Sequence, residues 1–297
     1  MSAAPGPHEL GDEVTLGRAL AWAARQFSPL ITDTPRLDAE LLLAHCLGWG
    51  RDRLFAYPEY SLSDEQRRHF EALTGRHAQG EPIAYILGQQ EFFGLDFFVD
   101  ERVLIPRPET ELLVEEAVAW LQTREPDCKR LLVGEVGTGS GAIAVSLAVE
   151  CPRLTLYAID TSADALEVAA QNVKRHGVSE RVWLLQGDLL APLPEPVHLI
   201  AANLPYVSEA ELAQLPPHIA RFEPRLALDG GPDGLAVVER LLAQARTHLR
   251  PEGAILLEIG VAQGDLALGH AQRFFPDAQV QVRQDYGARD RLLIIQI

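Results

Sequence analysis

Paired cysteines, clustered basic residues and long apolar runs are missing from this 297-residue sequence. The three cysteines, Cys46, Cys128 and Cys151, stand far apart and form no C-x-x-C pair, which argues against a disulfide framework and against a zinc site. They read as small buried apolar residues. The nine histidines are scattered, with no H-E-x-x-H and none beside a plausible Ser or Cys nucleophile, so neither a metalloprotease nor a hydrolase triad is expected, and no metal. No apolar stretch approaches the ~20 residues of a membrane span, and the opening "MSAAPGPHELGDEV" lacks a basic n-region and an apolar h-region. A cytoplasmic protein without a membrane partner is expected. Lys and Arg number 26 against 42 Asp and Glu, a net charge of −16. A protein that grips a nucleic-acid backbone needs clustered cations, so direct nucleic-acid binding is not expected.

What is present is 47% hydrophobic and 23% charged, enough for one large domain and a smaller one. Residues 1–13 read as a disordered start, and 14–80 as a small helical domain. There "LGRALAWAARQF" puts Leu16, Leu20, Ala23 and Phe27 on one face, and "DAELLLAHCLG" closes on Gly48. Residues 81–108 turn aromatic and β-branched, broken by Gly88, Gly94, Pro106 and Pro108, as in a β-hairpin linker followed by a rigid turn. From 109 to 297 helices and strands alternate: strands near 130–136, 154–160, 182–186, 197–203, 254–260, 278–284 and 291–297, with helices between most of them. That alternation predicts an α/β fold built on a doubly wound parallel sheet.

The first chemical motif is "LLVGEVGTGSGAIAVSLA". An apolar strand ends at Glu135 and Val136, and Gly137, Thr138, Gly139, Ser140 and Gly141 turn tightly into a helix, where backbone can approach a ligand at a positive helix N-terminus. The spacing also satisfies the dinucleotide pattern G-x-G-x-x-A, so the loop alone does not choose between NAD and S-adenosylmethionine. Asp160 closes the next strand about 20 residues on, where a carboxylate can bind ribose hydroxyls. An N-cap would be the plainer role for that Asp in isolation. Asp188, in "QGDLL", follows a third strand, placed to face an adenine amino group or simply to form a turn.

The most informative stretch is "ANLPYV" at 202–207, after the apolar run 197–201. Pro205 fixes its own φ, holds Leu204 extended and offers no N–H, so the Leu204 carbonyl points in a set direction beside the Asn203 side-chain carbonyl. Two acceptors aimed at one point suit a planar NH2 group, and Tyr206 offers a ring face for its plane. Holding both N–H groups aligns the nitrogen lone pair for attack and stabilises the positive charge that grows on it. No general base stands in the motif, so the proton is expected to leave to water.

Glycine loop, Asp160 and Asn-x-Pro-Tyr in this order resemble the seven-strand, Rossmann-like S-adenosylmethionine-dependent methyltransferases acting on planar nitrogens. "NLPY" by itself is also similar to ribosomal RNA adenine dimethyltransferases, which keeps an adenine-N6 methyltransferase of RNA or DNA as the alternative. The segments "PRLDAELLLAHCLG", "GEPIAYILGQQEFFGLDFFVDERVLIPRPETELLVE", "FEPRLALDGGPDGL" and "RQDYGARDR" are similar to the HemK-type methyltransferases, and "IPRPETE" is the most specific of them. Such enzymes methylate the side-chain amide nitrogen, N5, of the glutamine in the GGQ loop of peptide chain release factors. The resemblance implies S-adenosylmethionine as cofactor, with Glu135, Gly137 to Gly141, Asp160, Asp188, Leu189 and Asn203 around it. It implies that Asn203 and Leu204 bind the glutamine amide, that Pro205, Tyr206 and Phe93 shape the substrate pocket, and that the helical domain meets the release factor. Leu204 stands where the family usually has Pro, and Glu135 where it usually has Asp. A dinucleotide oxidoreductase would leave "NLPY" unexplained, and a cofactor-sensing adaptor would not need Asn203.

Overall fold

Helix caps set the boundaries of the N-terminal elements in this computed structural model, which describes residues 10, 14–29, 31–124 and 130–297. Most of the stretch read as a disordered start, 1–9 and 11–13, and Cys128 lie outside the described residues. Helix α1 (Leu16–Gln26) buries Leu16, Ala19, Leu20, Trp22 and Ala23 along one face. Helix α2 (Pro35–Leu47) starts on a proline, which costs nothing where the N–H has no partner, and stops at Gly48. After α3 (Arg51–Ala56), α4 (Asp64–Ala78) opens with a capping box: Ser63 accepts from the Gln66 N–H, and Gln66 accepts from the Ser63 N–H. A short α5 (Ile83–Leu87) completes the run. Their apolar faces close over a core that includes Leu16, Leu42, Leu43 and Phe70. This unit comprises residues up to Gly88 together with Pro216–Phe222.

The second unit, Gln89–Leu215 and Glu223–Ile297, opens with the hairpin β1 (Gln90–Phe92) and β2 (Leu95–Phe97). After a 3-10 turn at Pro108–Thr110 and α6 (Glu111–Arg124), strands and helices alternate as β3 (Leu131–Val136), α7 (Ala142–Glu150), β4 (Leu154–Asp160), α8 (Ala163–Arg175), β5 (Val182–Gln186) and β6 (Val197–Ala202). The short helix α9 (Glu209–Leu212) and, within the stretch that belongs to the first unit, α10 (Pro217–Phe222) precede α11 (Ala236–His248), β7 (Leu249–Glu258), α12 (Gly264–Phe274), β8 (Gln279–Gln284) and β9 (Asp290–Gln296). The seven strands from β3 to β9 form one sheet in the order β5-β4-β3-β6-β7-β9-β8. Central strands covered on both faces need apolar residues at every position, and every residue of β3 is buried.

The expectation of a parallel sheet requires correction at one edge. β5, β4, β3, β6 and β7 run parallel, but β9 lies antiparallel between β7 and β8. β8 and β9 are joined by a tight turn in which Asp285 Oδ1 accepts from the Gly287 and Arg289 N–H groups, a turn that links only antiparallel neighbours, and it is the returning strand β9 that pairs with the open edge of β7. No helix among the described residues is long and apolar enough to cross a membrane. The carboxyl ends of all five parallel strands open on one side, and the strand order reverses between β3 and β6. That crevice is where open α/β sheets bind ligands.

Candidate functional site

A cavity of about 240 Å³ lies at this switch point, walled by the glycine loop, Asp160, Gly187 to Leu189, Asn203 to Pro205 and the segment Arg102 to Arg107. The loop takes φ values of 75° at Gly137, 54° at Gly139 and 80° at Gly141, the left-handed region that L side chains avoid. Its first amides are tied down, since the Gly137 and Thr138 N–H groups both donate to the Ile159 carbonyl at 2.8 and 3.0 Å. A Cβ on Gly137 would sit 3.4 Å from the Asn203 carbonyl oxygen and 3.4 Å from a Leu204 methyl, so the loop and the "NLPY" stretch touch across the switch point.

Asp160 braces the loop as well as facing the cavity. One carboxylate oxygen accepts from the Gly139 N–H and the other from the Ser162 N–H, each at 2.9 Å. A carboxylate has about four acceptor positions, so two remain for ligand hydroxyls. Ser162, not Asp160, caps α8, by accepting from Ala165. From α8 the fully buried Asn172 donates to the Ser140 and Phe98 carbonyls and accepts from the Phe98 N–H, stapling the glycine loop to the strand-like segment after β2. Asp188 pairs with Arg240 across the cavity rim, and Leu189, at φ 53°, turns its buried side chain to the lining.

The "NLPY" stretch is held at both sides. Asn203 Nδ2 donates to Thr110 Oγ1 at 3.1 Å, and Thr110 Oγ1 donates to Glu258 Oε2 at 2.6 Å. Tyr206 Oη donates to the other oxygen of Glu258 at 3.3 Å, and the Tyr206 carbonyl accepts from Gln263 Nε2 at 2.8 Å. Burial raises the Glu258 pKa above the ordinary carboxylate range, and the Thr110 hydrogen bond, Arg291 and the Tyr206 hydrogen bond oppose that rise without cancelling it. Burial and the Glu258 charge hold the Tyr206 hydroxyl well above the ordinary phenol range. Among the described residues no donor reaches Asn203 Oδ1 or the Leu204 carbonyl oxygen. Both acceptors are free to take a ligand.

Glu135 stands apart. Its side chain is fully buried at the end of β3, neither carboxylate oxygen has a hydrogen-bond partner, and the Thr138 hydroxyl beside it has none either. Burial raises its pKa to about 8, with Thr138 opposing the rise and Asp160 adding to it. A buried carboxylate without donors is costly, so the site lacks a positive partner for it.

The cavity therefore gathers Gly137 to Ser140, Asp160, Asp188, Leu189, Asn203, Leu204 and Pro205. Four predicted site residues do not line it. Gly141, at the N-cap of α7, faces Ala169 of α8. Glu135 lies beneath the glycine loop, Tyr206 is turned to Glu258 rather than offering its ring face to the cavity, and Phe93 has its amide held by Glu111 while its neighbour Phe92 faces the lining. Side chains alternate along β1 and its turn, which is why the two phenylalanines part. Sequence reading missed Thr110 as a polar contact and Glu258 altogether. The signal was available for Glu258: it ends the apolar strand "AILLE", and carboxyl ends of parallel strands were already the place to look.

The chain matches the family model for a PrmC N-terminal domain over residues 18–88 and the one for a methyltransferase small domain over residues 111–217. It is 44% identical to the release factor glutamine methyltransferase of Moorella thermoacetica, over 95% of this chain and 98% of that protein. It is 37% identical to that of Rhodopirellula baltica, over 95% and 96%. Among solved structures it superposes on the hMettl16 catalytic domain, crystallised in complex with MAT2A 3'UTR hairpin 6, with a TM-score of 0.53 and 15% identity over 78% of this chain and 82% of that one, a likeness of fold alone.

Proposed function

The chain belongs to the release factor glutamine methyltransferases, and from that premise we propose which of its residues perform the transfer. The activity is S-adenosylmethionine-dependent methylation of a release factor glutamine. The adenine-N6 reading is not favoured, because the near-full-length relatives are named for glutamine. We assign the acceptor atom to the side-chain nitrogen of the GGQ glutamine and the site to the cavity at the switch point. The single observation that carries this assignment is the pair of unengaged acceptors, Asn203 Oδ1 and the Leu204 carbonyl, at its wall.

The residues present fit the cofactor. Asp160 keeps lone pairs for ribose hydroxyls, the glycine loop admits backbone approach, and the unpartnered Glu135 carboxylate calls for a positive group such as an ammonium. When bound, the cofactor supplies an electrophilic methyl group on a sulfonium. Asn203 and Leu204 take the two N–H groups of the glutamine amide, a nitrogen whose lone pair is otherwise delocalised. They thereby turn that pair toward the methyl group and stabilise the charge that builds up on nitrogen. Pro205 keeps the Leu204 carbonyl in place. Tyr206, fixed through its hydroxyl, packs behind the pair. No general base stands within the "NLPY" motif, and we infer that the proton leaves to water.

The helical unit is the part we assign to contact with the release factor, and the net charge of −16 suits a basic protein partner. We infer a cytoplasmic location from the release factor substrate. The test is a transfer assay with labelled cofactor that offers a purified release factor, the same factor with its GGQ glutamine changed to alanine, and unmodified ribosomal RNA. Label on the intact factor alone is expected; label on the RNA would return the adenine reading.

A further inference from the structure

We propose that Glu258 is a positioning residue for methyl transfer, acting through Thr110 to fix which end of the Asn203 amide faces the substrate; this deepens the site assignment above and rests on it. A primary amide carries its oxygen and its NH2 on arms of nearly equal size, so shape alone does not decide which end turns to the pocket. Only the oxygen can accept from a glutamine N–H. An Asn203 turned the other way would present donors to donors.

The hydrogen bonds decide. Thr110 Oγ1 has a single proton and lies 2.6 Å from Glu258 Oε2. A carboxylate only accepts, so that proton points at Glu258. What Thr110 Oγ1 can then offer Asn203, 3.1 Å away, is a lone pair, and Asn203 must answer with its N–H. The amide oxygen is left facing the other way, with no donor of its own. The second oxygen of Glu258 is occupied by the Tyr206 hydroxyl, so both of its ends accept. Thr110 and Glu258 are 4% and 2% exposed, which leaves no room for water to substitute for either. Glu258 does not line the cavity and touches no substrate position. Arg291, itself held by Asp285 in the β8–β9 turn, favours the ionised form of Glu258 against the burial that raises its pKa, and both Glu258 oxygens are placed to accept.

A glutamine in place of Glu258 keeps the shape and loses the direction. Its NH2 can donate to Thr110 Oγ1, the threonine proton is then free to turn to Asn203, and the amide can reverse. Transfer to a purified release factor is the assay, run at saturating cofactor with cofactor affinity measured separately by calorimetry. Glu258→Gln is expected to lower kcat about ten- to a hundredfold, the scale of one acceptor bond to a developing charge, and to leave cofactor affinity unchanged. Thr110→Val, which can neither accept nor donate, is expected to show the same loss, and Thr110→Ser, which keeps the hydroxyl, to restore most of it. In an Asn203→Ala background the Glu258→Gln change should cost less than about twofold more, because the group it orients is gone. Glu258→Gln at the wild-type kcat, or the same factor lost with and without Asn203, would overturn the inference while leaving the assignment of Asn203 standing. Asn203→Ala at full rate would overturn both.

Discussion

Replacing Glu135 by glutamine should change how the stability of this protein depends on pH. The folded protein holds the Glu135 proton up to about pH 8, whereas in the unfolded chain the group gives it up near 4.5. Its folded pKa is therefore the higher one. The contribution to stability is present below 4.5 and is lost as pH rises toward 8, since over that interval the unfolded chain releases a proton that the folded chain keeps. Each full pH step between the two values is worth about 1.4 kcal/mol and the steps at either end count for less, so from about pH 5 to about pH 8 the wild type should lose about 3.5 kcal/mol relative to Glu135→Gln. The side chain is fully buried, so solvent screening does not reduce this figure.

Denaturant unfolding of both proteins across that range measures it, and the difference isolates Glu135 because every other group titrates in both. Parallel curves would refute the reasoning. The same carboxyl should couple to the cofactor. An ammonium brought beside it favours the charged form, so binding below about pH 8 must release a proton and affinity should rise with pH up to that value. In Glu135→Gln that slope should vanish. Calorimetry in two buffers of different ionisation enthalpy reads the proton directly.

Asn203→Ala should leave cofactor affinity intact and lower kcat by about a hundredfold, the scale for removing one preorganised partner of a developing charge; equal loss of affinity would show that its role lies with the cofactor. Asn172→Ala strips three buried hydrogen bonds at Ser140 and Phe98 and should cost about 2–4 kcal/mol in denaturant unfolding, with weaker cofactor binding because the glycine loop loses its staple. A cost under about 1 kcal/mol would mean that backbone alone holds the loop. Gly234→Ala places a Cβ 2.2 Å from the Tyr206 carbonyl oxygen at a φ of 79°, so the clamp behind "NLPY" must move. Transfer should fall further than the melting temperature does, and an unchanged rate would detach the clamp from function.

The parts of the fold that follow from short-range pattern were legible in the sequence. β4 and β5 have the bounds that apolar runs and turn residues predict, and the glycine loop takes the left-handed φ values that three glycines so spaced require. What escaped was set by distant partners. The antiparallel β9 depends on which edge of β7 is open, and no period within "RLLIIQ" encodes direction. β7 begins at Leu249 rather than near 254, because Leu249 pairs with Val197 on β6 and extends a strand that its own Pro251 and Gly253 argue against. The candidate site shows the same division. Asn203 and Leu204 were visible because proline geometry is local. Thr110 and Glu258 stand 93 and 55 positions away from Asn203 and meet that stretch only through the sheet.

Leu204 poses the sharpest question about that site, because a second proline there would hold the carbonyl by covalent restraint. Here the restraint comes from packing. Leu204 is 4% exposed, and its side chain packs against Gly137, where the glycine loop has no Cβ to keep it away. On the upstream side Ala202 is locked in register with Val136 and Leu257. Downstream, the Tyr206 carbonyl is held by Gln263 and the Val207 N–H donates to the Leu228 carbonyl. A short extended segment pinned at both ends and in the middle has few ways to turn its peptide planes. The side chain that replaces proline thus ties acceptor to glycine loop. The positions of the Leu204 carbonyl and of the glycine loop are coupled by one contact, in which each surface is the other's support.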